Sequence, residues 1–420
     1  MTINIRVLSD SLCQWLSNIV DGDGLFLPDK IESWKEPDWD VAKIVVYIHG
    51  VGAIWGNLCI RGWRADAMST EFREYLIGEY YGNKERVEKI HKIYKEIESK
   101  LIENGIKFLP FKGIDLANRI YSDPALRPMA DVDLYIGHEN KTLALNTIES
   151  LGFILGGTNK SGANLYSKQL LNAKKNTASN IQDDPINRDY KNIGENINSA
   201  LNIDVHFDMA GSSLLTKFDQ SMIFENARLS DDAKLSQEDY FIYLLLHAAK
   251  HFIVRCGRWL HLSDINNFLN TQAVNKRKIL DRADELGIAH LLLIPLILCR
   301  QNFSDFDLEL EQSLFKIVGW RHKRLFKKMN LTEMSCCNPW GVASKEVFYW
   351  SKDIQEIWSL VSQTLGHRKH TKIRRAEKLI AVPKLSKRII HRIKSRLSKK
   401  ARITWGLFES YGLDAKIDWK

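Results

Sequence analysis

The chain has 420 residues, of which 45% are hydrophobic and 26% are charged, with 9 prolines and 24 glycines. This composition is typical of an ordinary soluble globular protein, and the length predicts two or three domains. The longest apolar run, 288–299, is too short to cross a membrane and predicts a buried helix. The first residues do not follow the pattern of a secretory signal, and the six cysteines form no Cys-x-x-Cys pair. We therefore expect a cytoplasmic protein without a zinc knuckle or a redox motif.

The net charge of +9 is concentrated near the C-terminus. Residues 367–402 contain fifteen Lys and Arg and one acid, Glu377, so this segment carries +14 and leaves −5 for the rest of the chain. Such a basic segment predicts a phosphate-rich partner, namely RNA, a nucleotide or an anionic membrane surface. A solvated helix face or a poorly ordered tail explains the same charges without any partner.

The N-terminal part of the chain is predicted to be helical up to residue 106. Its best-defined element is 87–106, where apolar residues recur at a spacing of three to four before Asn104-Gly105 ends the helix. A short strand at 107–111 and a helix at 114–121 follow. The next residues contain two prolines and predict a loop.

Two later segments alternate between polar and apolar residues and predict strands. They are 131–136 (DVDLYI) and 201–209 (LNIDVHFDM), and a helix at 143–151 follows the first. Between them, 156–199 is rich in polar residues and glycine. This composition predicts a long mobile insertion in which only the surroundings of 165–166 favour a strand.

Helical patterns return beyond residue 235. They predict four helices, at 238–251, 259–269, 276–286 and 289–301. We therefore expect an α+β fold in which a small mixed β-sheet is flanked by N-terminal helices and a C-terminal helical domain. The expected units are a helical region at 1–106, an α/β core at 107–210 with the insertion 156–199, a helical domain at 211–330 and a basic helical segment at 331–420.

Four Asp-x-Asp pairs occur in the chain, and only Asp131 and Asp133 lie on a predicted strand. Residues two apart on a strand project from the same face, so both carboxylates can bind one metal site. Asp204, on the strand that returns after the insertion, is the candidate third carboxylate. Three clustered carboxylates repel one another unless a cation lies between them. The pattern predicts a Mg²⁺ or Mn²⁺ site, and Asp204 would orient or deprotonate an acceptor hydroxyl. Solvated aspartates at strand ends are the simpler alternative.

The residues before this pair add a candidate phosphate-binding loop. Lys112 and Gly113 lie where a predicted strand turns into a helix, and a glycine there lets backbone N–H groups approach a phosphate. An ordinary helix N-terminus is the simpler interpretation. Arg127 is placed to pair either with a phosphate or with an aspartate.

Taken together, these residues resemble a bacterial nucleotidyltransferase family of the polymerase-β-type superfamily, whose members often have no assigned function. The resemblance is strongest over 108–153 (FLPFKGIDLANRIYSDPALRPMADVDLYIGHENKTLALNTIESLGF). It continues in 203–207 (IDVHF) and 246–268 (LHAAKHFIVRCGRWLHLSDINNF). The usual Gly-Ser of the superfamily is replaced here by Gly113-Ile114.

The resemblance implies metal binding by Asp131, Asp133 and Asp204, and a nucleotide-phosphate loop at Lys112 and Gly113. The implied reaction transfers a nucleoside monophosphate from an NTP, with ATP expected, to a hydroxyl and releases pyrophosphate. A small molecule such as a sugar, a peptide or protein, and an RNA end all remain open as acceptors. Two alternatives are phosphoryl transfer from the same site and a non-catalytic RNA- or phosphate-binding protein that uses 367–402.

Two further features of the helical part have more than one interpretation. His247 and His251 are spaced four residues apart on one predicted helix, which suits zinc, but packing or contact with the rim of the active site is the favoured interpretation. Asp264 is expected to pair with one of these histidines or with Arg258.

Overall fold

A computed structural model describes most of the chain between residues 34 and 355. The described residues are 34–35, 39, 42–43, 46–47, 49–62, 67–158, 164–168, 195, 200–207, 223–224, 235–253, 257–327, 329–335, 350–352 and 355. The basic segment 367–402 and the first 33 residues lie outside them, as does most of the insertion 156–199.

A mixed sheet of five strands forms the centre of the described α/β part, with the order β1-β2-β5-β4-β3. Strands β2 and β5 are parallel, and every other neighbouring pair is antiparallel. The strands are β1 (Phe108–Phe111), β2 (Asp131–Ile136), β3 (Ile154–Thr158), β4 (Asn164–Lys168) and β5 (Leu201–His206). The predicted small mixed sheet is confirmed.

The hairpin of β3 and β4 occupies one edge of this sheet and contains the start of the stretch that the sequence assigned to an insertion. The predicted strand near 165–166 is part of β4, and Tyr166 is buried against the sheet core. Its neighbour across the ladder is Ile203 of β5. The polar composition of this stretch gives little alternation of polar and apolar residues, so the sequence predicted a strand only near 165–166.

The first helices are joined to the sheet by one long helix. They are α1 (Gly52–Ile60), α2 (Thr70–Glu103), α3 (Gly113–Arg119) and α4 (Lys141–Ser150). Helix α2 begins where the Ser69 hydroxyl accepts the backbone N–H of Phe72, at 3.1 Å. It ends at Asn104-Gly105, where Gly105 has φ +68°, as predicted. Its start lies seventeen residues before the predicted one because its first half carries several glycines and charges that weaken the apolar pattern.

The second group of helices follows the sheet and agrees with the four predicted ones to within two residues at each end. These helices are α5 (Gln237–Ile253), α6 (Trp259–Thr271), α7 (Lys276–Glu285) and α8 (Ala289–Asn302). Three shorter helices follow: α9 (Glu309–Ile317), α10 (Trp320–Phe326) and α11 (Leu331–Met334). Helix α8 is buried almost all round, as its apolar sequence predicts. No helix among the described residues is both long and apolar enough to cross a membrane.

Two hydrophobic cores lie on either side of the sheet. One core packs α4 and the second half of α2 against Val132, Leu134, Ile203 and Val205. The other contains α1, the first half of α2 and the helices from α5 onward. Helix α2 thus takes part in both cores. The opposite faces of β2 and β5 carry mostly polar side chains, and Tyr135 on this face packs against the second core.

Candidate active site

The predicted carboxylates lie side by side on the two central strands. In the parallel pairing of β2 and β5, Asp133 is directly opposite Asp204, and Asp131 is two residues before Asp133 on the same face. The side chains between them, such as Val132 and Ile203, are buried in the core on the other face. The strand period therefore brings all three predicted aspartates to one surface.

A histidine completes this group. His206 follows Asp204 by two residues on β5, and its Nε2 lies 3.2 Å from Oδ1 of Asp133. Candidate ligand atoms of Asp133, Asp204 and His206 all lie within 4.8 Å of one another, which is close enough to hold one metal ion. Asp131 flanks this group and interacts electrostatically with Asp133 and Asp204. His206 lies in the IDVHF stretch but was not among the predicted site residues, although the same spacing rule that paired the aspartates applies to it.

Lys112 is the cation closest to the carboxylates. Its Nζ lies 2.5 Å from Oδ1 of Asp133, and Asp133 is only 1% exposed. The ammonium also lies within hydrogen-bonding reach of Tyr243 on α5. Lys112 is the single non-glycine residue with positive φ in the described part of the chain, at φ 55° and ψ −125°. This backbone conformation is costly for any residue with a side chain, and it directs the lysine from the end of β1 into the site.

The three aspartates do not titrate alike. Burial and, after it, the neighbouring charge of Asp133 raise the pKa of Asp131 to about 8. The same two causes raise the pKa of Asp204 to about 6. Burial also acts to raise the pKa of Asp133, but Lys112 and the hydrogen bond from His206 outweigh it and lower that pKa. One lysine therefore compensates one carboxylate, and a further cation is needed before all three ionise together at neutral pH.

Arg127 has a carboxylate partner. Its Nε and Nη2 donate to the two carboxylate oxygens of Asp264 on α6, at 2.9 and 2.7 Å, and the pair is buried. Asp264 also accepts the hydroxyl of Tyr121, at 2.8 Å. The guanidinium of Arg127 thus joins the sheet loop to α6, and its predicted contact with a nucleotide phosphate stays a prediction. The prediction that Asp264 pairs with a histidine or with Arg258 was wrong. Asp264 pairs with Arg127, and Arg258 pairs with Glu195.

Gly113 is held in close packing at the start of α3. A Cβ atom added to it would lie 3.0 Å from Cγ of Met129 and 3.1 Å from Nη1 of Arg127. The glycine therefore lets the turn after Lys112 approach the loop before β2. Its predicted role in phosphate binding stays a prediction.

A row of side chains on α5 leads away from the carboxylates. Tyr243, His247 and His251 follow one another at intervals of four residues, so they share one face over about 12 Å of helix. The ring of Tyr243 stacks on His247 at 6.0 Å, and His247 meets His251 at 4.6 Å between ring centroids. His261 of α6 joins this row, 4.7 Å from His251 between ring centroids.

His247, His251 and His261 form a second candidate metal-binding group among the described residues. Their ring nitrogens lie within 4.8 Å of one another. Burial lowers the pKa of each, and nearby cations, among them Lys112, Lys250 and Arg258, lower it further. His261 accepts the backbone N–H of Arg258 at Nδ1, at 3.2 Å, which places the proton of the neutral ring on Nε2. A metal ion at Nε2 would have to displace that proton. The neutral rings and their cationic surroundings favour hydrogen bonding to an anion.

Comparison with known proteins gives one match. The model of a family described as "Uncharacterised nucleotidyltransferase" matches residues 35–304, which include the sheet, the carboxylates and helices α1 to α8. No curated protein and no solved structure matches the chain.

Proposed function

We propose that this chain, which belongs to the uncharacterised nucleotidyltransferase family, transfers a nucleoside monophosphate from a nucleoside triphosphate to a hydroxyl group. ATP is the expected nucleotide, and pyrophosphate is the second product. The observation that carries the proposal is the alignment of Asp131, Asp133 and Asp204 on one face of two parallel strands, with Lys112 against the central one.

The chemistry of the site fits a divalent cation. Carboxylate oxygens are the ligands that Mg²⁺ and Mn²⁺ prefer. The pKa values of Asp131 and Asp204 are raised first by burial and then by the charge of Asp133, and a bound cation would offset both effects. Asp131, Asp133 and Asp204 would hold the ion, and His206 would orient Asp133 through its hydrogen bond. When bound, the ion neutralises charge on the phosphates and on the leaving pyrophosphate.

Asp204 is the proposed base. Burial and then the charge of Asp133 raise its pKa to about 6, and a bound cation would lower this pKa, so Asp204 is ionised at neutral pH and can accept a proton. The acceptor hydroxyl gives its proton to Asp204 while its oxygen bonds to the α-phosphorus, and the bond from that phosphorus to the bridging oxygen breaks. The electron pair of the broken bond leaves with pyrophosphate.

The β- and γ-phosphates are proposed to lie along the row on α5. Lys112 is at one end of this row, beside the carboxylates, and Lys250 is exposed on the same helix near the other end. Lysine side chains bind phosphates as point charges, and the proton on Nε2 of His261 offers a hydrogen bond to an oxygen anion.

The test follows label from each position of the nucleotide. The purified chain is incubated with the four α-³²P-NTPs, Mg²⁺ or Mn²⁺, and a cell extract divided into RNA, protein and small-molecule fractions. Label from one α-³²P-NTP should enter one fraction, and Asp133→Asn or Asp204→Asn should abolish this transfer. Asp281→Asn, at an exposed site on α7, is the matched control and should transfer like the unaltered chain.

Other outcomes separate the alternatives. Transfer of γ-³²P instead of α-³²P would replace nucleotidyl transfer with phosphoryl transfer from the same site. No transfer with either label, combined with RNA binding that is unchanged in Asp133→Asn, would reject the enzyme and favour a binding protein.

A further inference from the structure

A cavity of about 170 Å³ lies between α1, α2 and the loop that precedes β2. This volume has room for roughly ten water molecules or a small part of a ligand. Four glycines line it: Gly50 and Gly52 at the start of α1, and Gly78 and Gly82 one turn apart on α2. A Cβ atom added to Gly78 or Gly82 would meet nothing within 4 Å, so the space beside α2 is open.

The polar side chains that line this cavity offer hydrogen-bond acceptors. Glu79 accepts no hydrogen bond and forms no ion pair within the described residues. Asn83 is 8% exposed; its Nδ2 donates to the carbonyl of Ala125, and its Oδ1 has no partner. Glu195 also lines the cavity, where both its carboxylate oxygens pair with Arg258. A buried acceptor without a donor costs free energy, so the lining is suited to a ligand that brings donors.

The loop that precedes β2 connects the cavity to the carboxylate site. Pro128 lines the cavity three residues before Asp131, and Arg86 of α2 donates to the carbonyl oxygens of Met129 and Ala130, at 3.0 and 3.1 Å. The charge of Glu195 contributes to the raised pKa of Asp131. A molecule in the cavity is therefore next to the strand on which nucleotidyl transfer is proposed.

We propose that this cavity binds the acceptor, and that the acceptor carries a cationic nitrogen, an ammonium or guanidinium group, near its reacting hydroxyl. The inference rests on the proposed function, because it assigns the cavity to the second substrate of that reaction. Glu79 binds the cationic nitrogen, and Asn83 accepts a further hydrogen bond from the same group.

The balance of charge around Glu79 supports a cation. Arg258 compensates Glu195, and Arg86 lies close to Glu195 and Asp131. Glu79 has no such cation, and its pKa is raised to about 7 by burial and then by the charge of Glu195. A cationic nitrogen beside Glu79 offsets the repulsion between Glu79 and Glu195 and also donates a hydrogen bond to Glu79. A neutral polyol can only donate the hydrogen bond.

The experiment measures binding without nucleotide, so it does not depend on the transfer reaction. Two matched pairs of probes are used: 1,3-diamino-2-propanol with glycerol, and glucosamine with glucose. Binding to the full chain is followed by saturation-transfer NMR at millimolar concentrations. The cationic member of each pair should bind about tenfold more tightly than the neutral member, the effect of one charge-assisted hydrogen bond.

Three variants locate the binding site. Glu79→Gln should remove the preference for the cation while neutral probes bind as before. Gly82→Leu fills the open space beside α2 and should reduce binding of all four probes without lowering the melting temperature. Glu85→Gln, on the exposed side of the same helix, is the matched control and should leave the preference intact.

The results that overturn the inference differ from those that overturn the function. Equal binding of cationic and neutral probes, no binding of the cationic probes, or a preference unchanged in Glu79→Gln would reject it. Loss of MgATP affinity in Glu79→Gln would also reject it, because the cavity would then hold the nucleobase. Transfer of α-³²P to an acceptor without a cationic nitrogen rejects the inference and leaves the function standing. Cation-selective binding without any transfer rejects the function and, with it, the assignment of the cavity to an acceptor, although the cation site itself remains.

Discussion

Lys112 combines a backbone conformation that lysine rarely adopts with the central positive charge of the site. We predict that Lys112→Ala and Lys112→Gly both abolish nucleotidyl transfer, because each removes the ammonium beside Asp133. The glycine variant should nevertheless be more stable than the alanine variant by about 1–3 kcal/mol, since only glycine adopts φ 55° without strain. Urea unfolding of the two variants measures this difference. Equal stabilities would show that the turn carries no strain.

Arg127 and Asp264 form a buried ion pair between the loop before β2 and α6. Asp264→Asn is predicted to lower the free energy of unfolding by about 3–5 kcal/mol, because it leaves the guanidinium buried without its counterion. The double variant Arg127→Met/Asp264→Leu should recover most of this loss, and the hydroxyl of Tyr121 can still bond to Ser263. Chemical denaturation of the three proteins is the measurement. A double variant as unstable as Asp264→Asn would contradict the assignment of the pair to structure.

The residues that the sequence placed correctly are those governed by local periodicity. Asp131 and Asp133 share a face because side chains alternate on a strand, and Asp204 joins them because its own strand alternates in the same way. The partners that the sequence missed come from contacts between distant segments. Arg127 and Asp264 are 137 residues apart, and Arg258 reaches Glu195 across 63 residues. Local sequence patterns do not predict pairs between residues so far apart in the chain. Glu195 lies in a polar stretch, and this composition does not predict that it lines a cavity.

Helices α1 and α2 cross at a glycine. A Cβ atom added to Gly56 would lie 2.0 Å from the backbone oxygen of Leu76 and 2.9 Å from Cβ of Tyr80, so the helices touch backbone to backbone there. We predict that Gly56→Ala lowers the free energy of unfolding by about 1–3 kcal/mol, because the helices must move apart. Gly82→Ala, where the added atom meets nothing, should instead raise it by about 0.5–1 kcal/mol through helix propensity. Thermal unfolding should therefore shift in opposite directions for the two variants. A shift in the same direction would contradict the close contact.

Helix α2 contributes side chains to both hydrophobic cores of the described residues. Helix α2 packs its second half against the sheet and its first half against α1, and it also carries Glu79 and Asn83 of the cavity. The predicted boundary between the N-terminal helical region and the α/β core, at residue 106, therefore follows the end of a helix that both cores share. Because the carboxylate face lies between the sheet and α5, a change in either core is expected to reach the site.

Buried neutral histidines make the stability of the fold depend on pH. His290 of α8 contacts His322 of α10 in a tilted arrangement with 4.8 Å between ring centroids, and both are buried. Burial lowers the pKa of His290 to about 3, and the pKa of His322 is also lowered, chiefly by burial. The folded chain therefore keeps both rings neutral at a pH where the unfolded chain binds protons. Stability is fully present above about pH 6.5 and is lost as the pH falls towards the folded pKa values.

The free energy of unfolding is thus predicted to decrease below about pH 6.5, and each such histidine adds about 1.4 kcal/mol per pH unit to the slope. His290→Asn removes one of these titrating groups. The amide of the asparagine can replace the ring nitrogen in the hydrogen bond to the backbone of Trp350. The variant should show a smaller slope than the unaltered chain between pH 6 and pH 4 and the same slope above pH 7. Urea unfolding across this range measures both slopes. Parallel curves at every pH would mean that His290 is protonated in the folded chain, which would contradict its burial beside His322, Arg321 and Lys352.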